Sequence, residues 1–300
     1  MSKPELPRIL SGISDVANRY RGVILDLWGV VHNGEVALPG AIPTLEALRL
    51  AGLKICFLSN SPRRIPDVVA RLERMGIGPL LYDHVVTSGE AVFEALTDPM
   101  DPWHAALGQR YLHVGPPDLA GLLSGTKKIK VPTAEAADFI LNTGLDRSRG
   151  SAAVISQLKL CASRRLPMIC TNPDLNVHIG DTLVTCAGTI ASWYEQLDGH
   201  VHYHGKPYGP IYQHALELLG LSQSAVLAIG DSLRTDVLGA QSAGLDVVLI
   251  ASGVHKDELG LAIDGEIDRD KLQALLQSCS AQPTFVADLF MWDAPVFLER

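Results

Sequence analysis

The stretch VILDLWGVVHNG, residues 23–34, runs from apolar side chains directly into a carboxylate. Its first three residues, Val23 to Leu25, predict a short buried strand, and Asp26 then lies where that strand ends. Ligands of an open parallel sheet bind at the carboxyl ends of the strands. We therefore expect Asp26 to lie at a functional site.

Strand-like and helix-like segments alternate outward from this stretch. Three further apolar runs end in small or polar residues: KICFLSN (54–60), AVLAIGDS (225–232) and DVVLIASG (246–253). The segments at 62–76 and 208–220 carry apolar residues at helical spacing. Such alternation is typical of a parallel sheet covered by helices on both faces. The sequence thus predicts an α/β fold with a doubly wound parallel sheet.

The middle of the chain repeats this alternation by itself. Its strand-like and helix-like segments are, in order, RYLHVG (110–115), KKIKV (127–131), DFILNTG (138–144), SAAVISQLKLCASR (151–164) and LPMICTNPD (166–174). About a hundred residues are enough for a second domain. We expect an inserted α/β domain over residues 89–189 and a core domain assembled from residues 1–88 and 190–300.

Composition argues against several classes of partner. The 300 residues are 47% hydrophobic and 19% charged, and the formal net charge is -8 at pH 7. A surface for a nucleic acid polymer or an anionic membrane needs clustered lysine and arginine, which this balance does not favour. No apolar run reaches the roughly 18 residues of a membrane-spanning helix. The chain opens without a visible secretory signal and its five cysteines form no CxxC pair, so we expect reduced thiols and a cytoplasmic protein.

Polar residues follow four of the predicted strands, and their chemistry is complementary. These candidates are Asp26, Ser59 with Asn60, Lys206 and Asp231. The two aspartates suit a hard divalent cation such as Mg²⁺, while the lysine and the hydroxyl suit the oxygens of a phosphoryl group. A carboxylate that faces a metal-bound phosphate can also attack it. The pattern therefore indicates phosphoryl chemistry.

Four motifs carry a resemblance to a known family. DLWGVVHNG (26–34), FLSNSPR (57–63), GKPYGP (205–210) and GDSLRTD (230–236) resemble, in order, the four motifs of the haloacid dehalogenase-like (HAD) hydrolases. The resemblance implies a Rossmann-like core and a mechanism through an aspartyl-phosphate, with Asp26 as the nucleophile.

The same resemblance implies roles for the other motif residues. Asp26, Asp231 and the backbone carbonyl of Trp28 would hold Mg²⁺, and Asp236 would orient the water shell of the metal or the lysine. Ser59 and Lys206 would bind the phosphate, and Asn60 is a further candidate for that role.

The insertion between the second and third motifs is similar to the cap domain of the class IIA subgroup. This subgroup includes nucleotide, p-nitrophenyl phosphate and phosphoglycolate phosphatases. TNPD (171–174) and AGTIASWYEQLDG (187–199) also resemble it, which implies that Asn172 and Asp174 lie near the substrate. The implied substrate is a small phosphorylated metabolite, such as a sugar phosphate or a nucleotide. Caps of this type often take part in dimer contacts, so the resemblance also allows a homodimer.

Trp28 departs from the family pattern. Phosphatases of the family usually carry DxD, and the second aspartate protonates the leaving alcohol and then activates water. Indole N–H donates hydrogen bonds only and is no acid or base at neutral pH. Losing a positioned acid–base group typically costs about 10²–10⁴-fold in rate.

Several explanations of Trp28 remain open. One explanation is that the leaving group needs little protonation, and another is that His32 supplies the proton. The reaction could instead cleave a carbon–halogen or carbon–phosphorus bond. Against this, the dehalogenase branch uses no Mg²⁺, and the phosphonate branch needs a cap lysine that we do not assign. Finally, the protein could be a phosphate-ligand-binding or regulatory protein with weak or no turnover.

One further motif is independent of these four. HVHYH places His200, His202 and His204 at spacing two, and therefore on one face of a strand. Three imidazoles could bind zinc there. The alternative is that they are polar residues at a strand edge or facing the cap.

Overall fold

Two parallel sheets organise the chain in a computed structural model, which describes residues 6–180, 182–260 and 267–293. Residues 1–5, 261–266 and 294–300, which we assigned to the core domain, and residue 181 of the inserted domain lie outside the described part. The strands within the described part are β1 Arg8–Leu10, β2 Gly22–Leu25, β3 Lys54–Ser59, β4 His84–Thr87, β5 Arg110–Val114, β6 Ile129–Val131, β7 Phe139–Asn142, β8 Met168–Cys170, β9 Asn176–Ile179, β10 Thr182–Thr185, β11 Val201–Tyr203, β12 Val226–Gly230, β13 Asp246–Ile250 and β14 Phe285–Ala287.

Helices connect most of these strands. Those in the described ranges are α1 Ser14–Ala17, α2 Ala41–Leu50, α3 Ile65–Arg74, α4 Ser88–Thr97, α5 Pro102–Ala106, α6 Gly150–Ser163, α7 Ala187–Glu195, α8 Gly209–Leu219, α9 Leu238–Ser242, α10 Lys256–Leu259 and α11 Arg269–Gln277. A π-helical turn, Leu233–Val237, precedes α9.

Seven strands of the described chain form the larger sheet, in the order β1-β14-β13-β12-β2-β3-β4. All of its pairings are parallel. Strand β2 lies between β12 and β3, with Leu25 opposite both Ile229 and Phe57. From β2 the chain first adds strands on one side and later on the other, so the switch point of the sheet lies at β2 and β12. The predicted α/β fold with a doubly wound sheet is confirmed.

The two faces of this sheet bury separate apolar clusters, because successive strand residues point to opposite sides. Val23 and Leu25 pack in one cluster with residues of α2 and α3, including Leu45. Ile24 packs in the other cluster with residues of α8, including Ile211. Both faces are therefore covered, as continuous apolar strands require.

Five strands of the described chain form the second sheet, in the order β11-β8-β7-β5-β6, again in parallel. An antiparallel hairpin of β9 and β10 accompanies it. Strand β11 and most of α7 come from beyond residue 189, and Ile190 and Tyr194 of α7 are buried in this sheet's apolar cluster. The division at 89–189 stays a prediction, and the second sheet extends past its end to Tyr203.

Two simple observations accompany this architecture. Within the described ranges, no helix has the length and apolar character needed to cross a membrane. All five cysteines lie in those ranges as free thiols, and four of them are buried.

Candidate active site

A buried lysine lies between two carboxylates at the switch point of the larger sheet. Asp26 directly follows β2, and Lys206 Nζ donates hydrogen bonds to Asp26 Oδ1 and to Asp236 Oδ1, the latter at 2.7 Å. All three side chains are buried. Such an arrangement holds the ammonium in one position and compensates its charge.

Burial and charge act against each other in this group. Burial raises the pKa of Asp26 to about 7, although Lys206 opposes the rise and Asp236 adds to it. Burial alone would lower the pKa of Lys206, but Asp236 and Asp26 hold that pKa well above its ordinary value. The lysine is therefore a permanent cation in the site.

Asp231 adds a third buried carboxylate at the end of β12. Burial raises its pKa well above the ordinary value, and the nearby carboxylates of Asp26 and Asp236 raise it further. Asp231 Oδ2 accepts a hydrogen bond of 2.8 Å from the backbone N–H of Val254. A Cβ at Gly29 or at Gly253 would overlap the Asp231 carboxylate, so these glycines form a close cradle around it.

The three carboxylates fit a magnesium ion. One oxygen each from Asp26, Asp231 and Asp236 lies within 4.8 Å of the others. An all-oxygen donor set is what Mg²⁺ prefers, and a divalent cation would offset the like charges that raise the pKa of Asp231. Asp236 also accepts from Lys206 and from the N–H of Ser232 at 3.1 Å. These contacts suit the orienting role that the resemblance implies for it.

Asn60 forms hydrogen bonds with both the backbone N–H and the carbonyl of Lys206, an arrangement that we call the clasp. Its Oδ1 accepts from the backbone N–H of Lys206 at 2.7 Å, and its Nδ2 donates to the Lys206 carbonyl at 3.1 Å and to Asp174 Oδ1 at 3.0 Å. Gly205 completes the clasp, because at φ +110° a Cβ would overlap both Asn60 Oδ1 and Ser88 Oγ. Sequence reasoning missed this role of Asn60 and assigned it only to substrate.

The neighbouring Ser59 is buried at the end of β3. Its Oγ accepts a hydrogen bond of 3.2 Å from the N–H of Ser61. A hydroxyl that accepts one hydrogen bond can also donate its own proton to an anion, as a phosphate-binding role requires.

The second sheet contributes the TNPD turn to the same place. Asn172 Oδ1 accepts from the N–H of Asp174 at 2.9 Å, and the Arg234 guanidinium donates to the carbonyl of Pro173. Burial raises the pKa of Asp174, while Lys206 and the hydrogen bond from Asn60 oppose the rise. The turn is therefore held against the core by two separate contacts.

A single cavity of about 760 Å³ connects these groups. Its volume is within the usual range for small-molecule sites. All predicted site residues line it: Asp26, Trp28, Ser59, Asn60, Asn172, Asp174, Lys206, Asp231 and Asp236. Four arginines that sequence reasoning missed also line it: Arg63, Arg71, Arg147 and Arg234. Two of them, Arg63 and Arg234, lie within the motifs FLSNSPR and GDSLRTD. These motifs were the sequence signal that could have identified them.

Trp28 and His32 are in contact, but only Trp28 lines the cavity. Trp28 lines the cavity, and its ring meets His32 edge-on with centroids 5.1 Å apart. His32 is buried, its Nδ1 accepts from the N–H of Gly34 at 3.0 Å, and it is not among the residues that line the cavity. Burial, aided by Arg71, lowers the pKa of His32 to about 4. These observations count against His32 as the proton donor.

The histidine-rich strand meets a fourth histidine. His202 and His204 lie close to His104 of α5, whereas His200 is not part of that group. Of the three histidines considered as zinc ligands, His202 and His204 therefore belong to this group and His200 does not. The third member of the group, His104, lies on a helix about a hundred residues earlier in the chain.

Three models of protein families match the chain. Two of them, each described as haloacid dehalogenase-like hydrolase, match residues 23–126 and 149–244. The third, described as HAD-hydrolase-like, matches residues 203–289.

Individual proteins are similar over most of the chain. Chronophin from Bos taurus is 30% identical over 262 residues, which cover 83% of this chain and 86% of chronophin. The 5'-nucleotidase YutF from Bacillus subtilis (strain 168) is 27% identical over 243 residues, which cover 80% of this chain and 90% of YutF. A solved structure described as a haloacid dehalogenase-like family hydrolase from Brucella suis 1330 is 33% identical with a TM-score of 0.79, covering 95% of this chain and 100% of that one.

Proposed function

This chain belongs to the haloacid dehalogenase-like hydrolases and is a phosphatase of that family, and from that premise we propose that it hydrolyses small phosphomonoesters through Asp26 with Mg²⁺ as cofactor. One observation carries the proposal. Lys206 Nζ contacts both Asp26 and Asp236 in a cavity that also holds the carboxylate of Asp231. A nucleophile, a fixed cation and a divalent-metal donor set are the parts that phosphoryl transfer needs.

The reaction would proceed in two displacements at phosphorus. An Asp26 oxygen attacks, the bond from phosphorus to the ester oxygen breaks, and the ester oxygen leaves as an alkoxide or aryloxide that takes a proton from solvent water. Water then attacks the aspartyl-phosphate, which releases inorganic phosphate and restores the Asp26 carboxylate. Lys206 and Ser59 would hold the phosphoryl oxygens throughout both steps.

Mg²⁺, held by Asp26, Asp231 and the backbone carbonyl of Trp28, would supply positive charge against the phosphoryl oxygens. Asp236 would keep Lys206 in place, since it accepts a hydrogen bond from the ammonium.

We extend the proposal to the class IIA subgroup and to residues 89–189 as a cap domain. The second sheet seats Asn172 and Asp174 on the cavity, where they would contact substrate together with Asn60. A cavity of about 760 Å³ with four arginines on its walls suits a small anionic metabolite, such as a nucleotide or a sugar phosphate. The similarity to a 5'-nucleotidase supports this substrate class.

The setting of the enzyme is part of the proposal. Free and mostly buried thiols suit a reducing compartment, and we propose a cytoplasmic protein that binds neither nucleic acid polymers nor membranes. A homodimer through the cap would agree with the family resemblance, and measurement of the molecular mass in solution tests it.

Hydrolysis of p-nitrophenyl phosphate, with and without Mg²⁺, tests the mechanism. We expect Mg²⁺-dependent turnover that Asp26→Asn abolishes, because an amide is a poor nucleophile toward phosphorus. Asp98→Asn, an exposed carboxylate at the end of α4, is the matched control and should keep full activity. Turnover that survives in folded Asp26→Asn would refute the assigned nucleophile.

A second candidate function follows from the indole of Trp28, which lies on the cavity wall at the position where phosphatases of the family usually carry the acid. Trp28 lines the site, and His32 lies away from it, so a phosphate-ligand-binding or regulatory protein with little turnover is the alternative. The aryl ester decides between the two, because its leaving group needs little protonation. Tight binding of the ester without hydrolysis would favour the binding protein.

A further inference from the structure

Three histidines from two distant parts of the chain form a compact group, which we call the histidine cluster: His104, His202 and His204. A ring nitrogen from each lies within 4.8 Å of the other two. The Nε2 atoms of His104 and His204 are 2.9 Å apart. This cluster lies outside the cavity described above, since none of its members lines that cavity.

Secondary structure holds two of the rings on one surface. His202 belongs to β11 and His204 follows it at spacing two, so both side chains point to the same face of the second sheet. His104 lies on α5 and is buried. The Trp103 ring stacks on His202 with centroids 4.4 Å apart and planes 19° apart, which restricts the orientation of that imidazole.

We propose that the histidine cluster binds one Zn²⁺ ion through a ring nitrogen of each histidine. Neutral imidazole is a preferred zinc ligand, and three histidines with an open fourth position are an established donor set for this metal. Nitrogens bound to a tetrahedral zinc ion lie about 3.3 Å apart. The His104 and His204 nitrogens would separate by a few tenths of an ångström to admit the ion.

The environment of His104 supports this assignment independently. Its Nδ1 is buried and has no hydrogen-bond partner among the residues that the structure describes, and a carboxylate oxygen, Asp101 Oδ2, is 3.6 Å away. With Nε2 bound to a metal, Nδ1 would carry the proton and point it at Asp101. A carboxylate behind a metal-bound histidine is a recurrent arrangement that orients the ring. Asp101 is itself held, because its Oδ1 caps α5 through the N–H of Trp103 at 2.7 Å.

This zinc site differs from the carboxylate site in its donor atoms. The Asp26 site offers oxygens, which suit Mg²⁺, whereas the histidine cluster offers nitrogens, which suit zinc and its neighbours in the transition series. The two sites are nevertheless linked along the chain. His204 precedes Lys206 by two residues, so zinc would tie the segment that carries this lysine to helix α5 and stabilise both.

Zinc binding to the full chain in saturating Mg²⁺ tests the proposal, because Mg²⁺ occupies the carboxylate site. We expect one equivalent of Zn²⁺ to bind in competition with a chromophoric chelator and to raise the melting temperature. His202→Gln and His104→Gln should each weaken zinc affinity at least tenfold. His200→Gln is the matched control, since His200 lies beside the cluster but is not one of its members, and it should bind zinc like the native chain.

Electron paramagnetic resonance of bound Cu²⁺ provides a readout that does not depend on stability. Nitrogen hyperfine splitting in the native chain and in His200→Gln, lost in His202→Gln, would identify the imidazole ligands. Unchanged zinc affinity in folded His202→Gln and His104→Gln would overturn the proposal. So would the absence of zinc binding by the native chain in saturating Mg²⁺.

Discussion

Asp26 combines a buried charge with a position where a metal ion could bind. Its carboxylate is buried and shares the site with Asp231 and Asp236, and Lys206 is the cation within hydrogen-bonding distance. Two negative charges therefore remain in excess when all three carboxylates ionise. A divalent metal ion would neutralise this excess, so removal of Mg²⁺ should appear in the pH dependence of stability.

We predict that the metal-free protein loses stability as the pH rises from about 4 to about 7. Because the pKa of Asp26 is about 7 in the folded chain against an ordinary 3.8, the folded state binds more protons than the unfolded state between these values. Unfolding free energy then falls with rising pH across that window. The raised pKa of Asp231 acts in the same direction.

Urea unfolding across this window, with and without Mg²⁺, measures the effect. Saturating Mg²⁺ should flatten the dependence, because the ion favours the ionised carboxylates. Asp26→Asn cannot titrate at this position and should give a shallower slope in the absence of metal. An equal slope in native protein and in Asp26→Asn would show that Asp26 is not the group responsible.

The second prediction for a single residue concerns Trp28. In Trp28→Asp a carboxylate could restore proton transfer to the leaving group, which matters more for alkyl than for aryl esters. The change also removes a half-buried indole that packs against the core, and we expect a loss of roughly 1.5–3 kcal/mol in stability. The ratio of kcat/KM for an alkyl phosphate to that for p-nitrophenyl phosphate should rise.

This ratio cancels any unfolded fraction of the mutant. Trp28→Phe is the matched control, because it also shortens the side chain but adds no acid, and its ratio should stay at the native value. A ratio that does not change in folded, Mg²⁺-binding Trp28→Asp would mean that the missing acid is not what limits alkyl ester hydrolysis.

At the scale of elements, the turn between β11 and α8 positions Lys206. Gly205 adopts φ +110°, and Asn60 holds the backbone of Lys206 on both its N–H and its carbonyl. The strand and the helix only bring the segment near the switch point. The turn and its clasp then determine where the ammonium lies.

We predict that Gly205→Ala destabilises the fold by about 1–3 kcal/mol, the usual cost of a strained backbone conformation. It should also raise KM, since the added Cβ overlaps Asn60 and displaces Lys206. Gly209→Ala is the control, because the Cβ it would add meets no other described part of the chain within 4 Å beyond its own neighbours and helix backbone. Thermal unfolding and steady-state kinetics measure the stability and the KM of both variants. If the two variants have equal stability and equal KM, the clasp does not position Lys206.

At the scale of the whole molecule, the two sheets enclose one cavity. Asn60 of the core bonds to Asp174 of the TNPD turn, and Arg234 bonds to Pro173 of the same turn. In addition, the N–H of Gly180, beside the β9–β10 hairpin, donates to Asn33 of the core at 3.3 Å. These contacts join the cap to the core directly over the site.

We predict that Arg234→Ala raises KM about tenfold, consistent with the loss of one hydrogen bond to a charged donor. Loosening the turn admits water and weakens the enclosure of the substrate. Arg164→Ala removes a similar bond, from an arginine to the carbonyl of Glu135, at a position within the second sheet's domain. Its KM should remain native, and a tenfold rise there as well would point to a general loss of stability.

The sequence by itself determined the core fold and grouped the polar residues that end its neighbouring strands. Apolar runs such as Val23 to Leu25 identify buried parallel strands, because such strands contact helices on both faces. Polar residues at the ends of neighbouring parallel strands must meet at one edge. Asp26, Ser59 and Asp231 could therefore be grouped from local patterns.

Only the tertiary structure decided how these residues are held and what else they meet. Asn60 reaches Lys206 across 146 residues and Asp174 across 114, and His104 reaches His204 across 100. No local pattern encodes such pairs, because side-chain periodicity reports which face of an element is buried and not which distant element covers it. For the same reason, the pairing of the short strand β11 with β8 extended the second sheet beyond the range that the sequence predicted.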